Sequence, residues 1–165
     1  MPELQLLRSD HASAVLAFET ENRAYFAAAV GDRGDEFFEH FVEVHDRRLA
    51  EQESGEGAYY VLVDDDGSVL GRFNLIMEEG GAAELGYRVA ERATGRGVAT
   101  AAVREVCQLA TQRHGVRTVT AATTHDNVAS RKVLLRCGFV AVGPADPERV
   151  GGATGTSYAL DLSGA

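Results

Sequence analysis

Arg92-Ala93-Thr94-Gly95-Arg96-Gly97-Val98-Ala99-Thr100 is the stretch on which the fold turns. A strand pattern, Ala83-Glu84-Leu85-Gly86-Tyr87-Arg88-Val89, leads into it, and a helical pattern from Val98 to Arg113 leads out. Two glycines one residue apart let the main chain approach a ligand with no Cβ in the way. The helix N-terminus behind them offers unpaired N–H groups and the positive end of the helix dipole. Together they make a seat for a pyrophosphate. A nucleotide P-loop does not fit, because no Lys follows the glycines as Gly-x-x-x-x-Gly-Lys-Ser/Thr demands. A dinucleotide fingerprint fails too, since its third small residue would fall on Thr100. Arg88, Arg92 and Arg96 surround the loop; they either supply local positive charge or are scattered solvated arginines.

Outward from the loop the pattern alternates between strands and helices. On the N-terminal side, Leu4–Leu7 reads as a strand. A helix follows over about Asp10 to Ala29, with Val15, Phe18, Tyr25, Phe26 and Ala29 near helical spacing. Gly31-Asp32-Arg33-Gly34 interrupts it. A second helix runs from about Asp35 to Glu53, with Phe37, Phe38, Phe41, His45 and Leu49 as its buried stripe. Three strands in a meander come next, Tyr59–Val63, Val69–Met77 and Ala83–Val89, with turn residues between them. Asp64-Asp65-Asp66-Gly67 is one of those turns. A calcium loop starting at Asp64 would need its glycine at the sixth position, and Gly67 is the fourth. On the C-terminal side, the loop helix carries Ala99, Ala102, Val103, Val106, Leu109 and Ala110 on one face and stops at Gly115. Val116–Thr123 is a β-branched strand. Asp126 or Asn127 caps a helix that runs to Cys137 and ends at Gly138, and Phe139–Val142 and Thr156–Leu162 are the last strands. There is no repeat or linker, so residues 1–165 are expected to form a single α/β domain.

Composition narrows the functional classes. The 165 residues are 45% apolar and carry a net charge of −9. That charge argues against a nucleic-acid partner and suits a cationic substrate. No apolar run reaches membrane-spanning length, and Met1-Pro2-Glu3-Leu4-Gln5 does not open a secretory signal, so a cytoplasmic location is expected. Cys107 and Cys137 are not in a Cys-x-x-Cys pair and read as reduced, buried thiols. His40 and His45 are five residues apart and do not share a helix face, so no metal set is expected.

The loop resembles the acetyl-CoA loop of the GNAT N-acetyltransferase superfamily. That family's pattern, Gln/Arg-x-x-Gly-x-Gly/Ala, fits from Arg92, giving Gly95 and Gly97, or from Thr94, giving Gly97 and Ala99. The second register places its last two positions at the start of the helix, and there Thr94 replaces the usual basic or amide residue. Asn127-Val128-Ala129-Ser130, followed by Cys137-Gly138-Phe139, is similar to the family's second signature. Ser130 in place of Ala, and the opening Phe18-Glu19-Thr20-Glu21-Asn22-Arg23-Ala24-Tyr25-Phe26, resemble the Rim-type branch that acetylates ribosomal-protein N-termini.

The resemblance implies the GNAT acyl-CoA N-acyltransferase fold, a central mixed, mostly antiparallel sheet flanked by helices. It implies acetyl-CoA as co-substrate and direct transfer to a primary amine, on a protein or peptide N-terminus or on a small amine. The alternative is a GNAT-fold CoA-binding module without turnover. Cofactor contacts fall on Tyr87, Arg88 and Val89 of the strand, on Thr94, Gly95, Arg96, Gly97, Val98, Ala99 and Thr100 of the loop, and on Asn127 and Ser130. A main-chain N–H near Val89 would polarise the thioester carbonyl. Many members carry a Tyr as the acid seven residues after the Asn, where this chain has Leu134. Ser130 is therefore the candidate acid, or else a helix-capping hydroxyl. Glu84 is the candidate base, or else a solvent-facing charge. Asn22 and Asn74 are further polar candidates for orienting substrate, and His125 a local polar partner. The assembly is expected to be a monomer or homodimer.

Overall fold

A computed structural model of the chain describes residues 1–164. Its strands are β1 (Glu3–Leu6), β2 (Gly57–Val63), β3 (Val69–Glu78), β4 (Ala82–Val89), β5 (Thr118–Thr124), β6 (Val140–Pro144) and β7 (Gly155–Asp161). They form one mixed sheet in the order β1-β2-β3-β4-β5-β7-β6. The helices are α1 (Ala12–Glu21), α2 (Arg23–Ala29), α3 (Asp35–Glu39), α4 (Phe41–Ser54), α5 (Val98–His114) and α6 (Val128–Arg136). The residues group into two compact units, Met1–Asn74 with Tyr87–Arg96, and Leu75–Gly86 with the chain from Gly97 onward.

In the first unit β1 runs antiparallel to β2, from Glu3↔Val63 to Leu6↔Tyr60. Beneath them Leu7, Val15, Phe18, Phe26, Phe41, Tyr59, Val61, Val69 and Ala90 form the apolar core. The expected helix over Asp10–Ala29 is in fact two, because Asn22 breaks it. Its Nδ2 donates to Phe18 O at 2.9 Å, and its Oδ1 accepts from Glu91 N at 3.0 Å. A side-chain amide that bonds main chain on both sides competes with the continuing helix. The expected helix over Asp35–Glu53 is likewise split at His40, which adopts φ −113°. Phe41 and His45 of its expected stripe are buried, whereas Phe37, Phe38 and Leu49 are only half-buried.

This unit also buries charge. The Glu19 side chain is fully enclosed and accepts from Arg72 Nη1 at 2.6 Å and from Arg33 Nη2 at 3.1 Å. Burial pushes the Arg72 guanidinium below its ordinary value, against the opposing pull of Glu19. Such a pair adds little net stability, yet removing one partner strands the other in a dry interior.

In the second unit β5 alternates half-buried and buried residues, with Val119, Ala121 and Thr123 inward. It runs parallel to β4 from Ala82↔Thr118 to Glu84↔Thr120, and antiparallel to β7 along its whole length. The approach to β7 is close enough to require glycine at one point, since a Cβ on Gly155 would lie 2.2 Å from Thr123 O. Helix α5 buries Thr100, Ala102, Val103, Val106, Cys107 and Ala110, and Gly115 ends it at φ +66°.

Glu19→Ala should cost about 3–5 kcal/mol in denaturant unfolding, since it leaves Arg72 buried without its counter-ion. Combining Glu19→Leu with Arg72→Met should recover most of that loss. A Glu19→Ala variant as stable as the parent would mean that the pair is solvated.

Candidate functional site

The loop from Arg92 to Thr100 is built as its glycine spacing requires. Past Val89, Ala90 N donates to Leu70 O at 2.8 Å, and Glu91–Ala93 make a 3-10 turn. Thr94 Oγ1 donates to Glu91 O at 2.7 Å, so its side chain is committed to that turn. Gly95 and Gly97 then take φ +76° and +73°. A Cβ on either would meet nothing of the protein within 4 Å. Within the chain, then, backbone conformation rather than crowding selects glycine here, because L side chains resist this left-handed region.

Gly97 is the N-cap of α5, and no side chain caps that end. The N–H groups of the first turn thus take no capping side chain, which is the chemistry an anion seat needs. The N-terminus of α6 contrasts with it, since there Asn127 Oδ1 accepts from Ser130 N at 3.1 Å. The cap expected at Asp126 or Asn127 is thus Asn127. Val98 and Ala99 are half-buried at the start of α5, while Thr100 is buried and its carbonyl receives Cys137 Sγ at 3.5 Å.

The three arginines near the loop divide. Arg88 donates to Gly31 O at 3.0 Å and lies 5.2 Å over the Phe26 ring. Burial, with the Arg33 charge nearby, holds Arg88 down to about 10. Arg92 donates to Ser68 Oγ at 2.9 Å and sits 3.8 Å from Asp64. Arg96 is exposed and has no ion pair among the described residues, so its guanidinium can turn to a phosphate. Tyr87 stacks on Phe73 at 5.7 Å, and Val89 closes β4 half-buried. The loop residues thus follow one another along the chain as expected, while the Arg88 and Arg92 side chains are engaged elsewhere.

Glu84 is not a simple solvent-facing charge. It is the last β4 residue in register with β5, opposite Thr120. Its Oε2 lies 2.5 Å from Arg149 Nη1, yet that buried oxygen makes no hydrogen bond. Arg149 also reaches Glu78 Oε2 at 3.4 Å. Arg149, Glu78 and Thr120 escaped the sequence reading, because a guanidinium in a Pro- and Gly-containing loop carries no periodic signal.

The remaining candidates have plain placements. Leu134 is fully buried, so the position where relatives would carry a tyrosine acid is part of the core. Asn22 uses both ends of its amide structurally, on Phe18 O and Glu91 N. Asn74 Oδ1 is buried and makes no hydrogen bond. His125 Nε2 meets Thr156 Oγ1 at 3.2 Å, a local polar partner. Both cysteines are free, and burial pushes the Cys107 thiol up to about 12, which keeps it inert. Among the described residues no His, Cys, Asp and Glu side chains cluster to hold a metal, and no helix is long and apolar enough to cross a membrane.

A sequence model described as an acetyltransferase (GNAT) domain matches residues 3–140. The chain therefore belongs to the GNAT acetyltransferase family; it is an acetyltransferase, and acetyl-CoA is its acetyl donor. No curated protein matches the sequence significantly. Solved structures share the fold. A ribosomal-protein-S5-alanine acetyltransferase from Vibrio fischeri superposes with a TM-score of 0.88 at 22% identity, covering 98% of this chain and 93% of that one. Mycobacterium smegmatis RimJ, in complex with a CoA disulfide, gives 0.84 at 22% identity, covering 98% and 82%. A spermidine N-acetyltransferase chimera that includes the Vibrio cholerae enzyme gives 0.79 at 15% identity, covering 99% and 96%.

Gly97→Ala should cost about 1–2 kcal/mol of stability, because its Cβ must be held at φ +73°. Gly86→Ala, at an ordinary φ and in open space, should be neutral or stabilise by about 0.4–1 kcal/mol. Urea unfolding of both variants checks this. Equal losses in the two would show that the left-handed conformation is not what selects glycine at 97.

Proposed function

We infer that this protein, over residues 1–165 as one functional domain, moves an acetyl group from acetyl-CoA directly to a primary amine, on a protein or peptide N-terminus or on a small amine. The observation that carries this reading is the uncapped N-terminus of α5 behind two left-handed glycines, placed immediately after β4. Its main-chain N–H groups from Gly95 to Thr100 are the natural holders of the donor's pyrophosphate. Arg96 adds a mobile positive charge. Tyr87, Arg88 and Val89 offer main-chain groups along β4 beyond the last registered pair with β5.

Bound acetyl-CoA supplies an activated carbonyl attached to a sulfur leaving group. The chain's contribution is to place and tune what reacts with it. A main-chain N–H near Val89 donates to the carbonyl oxygen and stabilises the charge that grows there. Glu84 takes the proton that the attacking ammonium must lose, directly or through a water. The Ser130 hydroxyl donates to the departing sulfur; Leu134 has no group that could. Asn127 holds Ser130 in place by capping the first turn of α6.

The acceptor is read as cationic. The net charge of −9 attracts an ammonium over long range. The solved structures that share the fold include a ribosomal-protein-S5-alanine acetyltransferase and a spermidine N-acetyltransferase chimera, one named for a protein acceptor and one for a polyamine. This supports an amine without choosing between them.

The experiment is acetyl-CoA turnover on a panel of free-N-terminus peptides and small amines, with mass spectrometry of the products. The group is expected on nitrogen, and an O-acetyl product would overturn the amine acceptor. Glu84→Gln and Ser130→Ala should each lower kcat by about 100-fold or more, with donor affinity nearly unchanged. Unchanged kcat in either variant would remove that residue from the chemistry. KM for a cationic acceptor should rise with salt, because exposed charges are screened over about 8–10 Å at physiological ionic strength.

A further inference from the structure

Glu84 and Thr120 stand opposite each other in the parallel register of β4 and β5, so their side chains leave the same face of the sheet. Both end in a buried oxygen that makes no hydrogen bond, Glu84 Oε2 and Thr120 Oγ1. An unmet buried oxygen is costly, and Thr120 Oγ1, on the same face as the ion-paired Glu84, calls for a donor.

Arg149 answers the charge but not the hydrogen bonding. Its Nη1 is 2.5 Å from Glu84 Oε2, without the alignment a hydrogen bond requires. Its Nη2 reaches 3.4 Å to Glu78 Oε2, so a second carboxylate is ready to hold the guanidinium if it leaves the first. The Arg149 side chain is 42% exposed and belongs to the short 3-10 turn Pro147–Val150, which is flanked by Gly151 and Gly152. A guanidinium is a planar fork, whereas an ammonium is a compact charge with three rotatable donors. An ammonium bound to Glu84 would still have donors to offer Thr120 Oγ1.

We propose that Arg149 is a specificity-determining residue: its guanidinium fills the seat of the acceptor's primary ammonium on Glu84 and Thr120, and the acceptor enters by displacing it onto Glu78. The proposal rests on the reading of Glu84 as the carboxylate that faces the acceptor. The guanidinium sets a threshold at this seat. A neutral molecule gains nothing by competing with it, so the site selects acceptors that arrive as primary ammonium ions. Once the ammonium is seated, Glu84 no longer carries the guanidinium and is in contact with the proton that must be removed.

The test measures binding rather than turnover, so that it stands apart from the acetyl-transfer assay. The full-length protein is titrated with n-butylammonium chloride, and with n-butanol as the neutral control, while the backbone amide resonances of Glu84 and Thr120 are followed by NMR. In the parent protein binding should be weak. Arg149→Ala should bind n-butylammonium about fivefold tighter, the scale of one partly exposed ion pair, with shifts centred on Glu84 and Thr120. Arg149→Lys, which keeps a cation in the seat, should bind as weakly as the parent. Adding Glu84→Gln to Arg149→Ala should abolish the gain, and n-butanol should not bind any of them. The melting temperature of each variant is measured alongside to show that the fold persists. Equal binding in parent and Arg149→Ala, shifts remote from Glu84, or no binding to Arg149→Ala would overturn the proposal. If ammonium binds here while no amine on the panel is acetylated, the seat stands and the acceptor reading of Glu84 falls.

Discussion

The short parallel register between β4 and β5 is the constraint on which the rest of the molecule depends. It runs for three pairs, from Ala82↔Thr118 to Glu84↔Thr120. Parallel neighbours cannot be joined by a hairpin, so the chain must leave β4, cross over in a helix and return. Helix α5 is that crossover, and its N-terminus necessarily follows the C-terminal end of β4. That is the place where α/β sheets present ligand-binding loops. The left-handed pair Gly95 and Gly97 turns the chain into the helix without a side chain taking the cap. The anion seat proposed here is thus a by-product of the topology, with glycine supplying the turn. Because the register stops at Glu84, β4 continues to Val89 with main-chain groups that β5 does not register with.

Two polar arrangements then do opposite work. In the first unit, Glu19, Arg72 and Arg33 are buried and matched, and Asn22 ties the α1–α2 joint to the start of the turn at Glu91. These groups hold shape, since each has a partner within hydrogen-bonding reach. In the second unit, Thr120 keeps a buried oxygen without a hydrogen bond, and Glu84 Oε2 is met only by the charge of Arg149. Stabilising networks are satisfied, and binding sites are left wanting. By that criterion Asn22, which looked available for substrate, is structural. Asn74 differs, since its Oδ1 is buried and makes no hydrogen bond.

Most of the fold was legible because its signals are local. The β-branched run at Val116–Thr123, the glycines at 95, 97, 115 and 138, and the helical stripe of α5 each fix an element within a few residues. The breaks at Asn22 and His40 were not legible. Asn22 departs from the helix because of a bond to Glu91, 69 residues away. The same limit applies to charge. Arg72 lies in a strand whose pattern says nothing of a counter-ion on α1, and it pairs with Glu19 across 53 residues. The loop of the candidate site could be read from its glycines. Arg149 could not, since what distinguishes it from other exposed arginines is only the pair of carboxylates that folding brings to it.

Hydrogen exchange with and without acetyl-CoA tests most directly whether the β4–loop–α5 segment is the donor site. Slowed exchange is expected in peptides covering Tyr87–Val89 and Gly95–Thr100, where main-chain N–H groups would become donors to the cofactor. Exchange in α4, which contributes no proposed contact, should stay unchanged. Binding of acetyl-CoA with no protection over Gly95–Thr100 would contradict the assignment, because the pyrophosphate would then be held elsewhere.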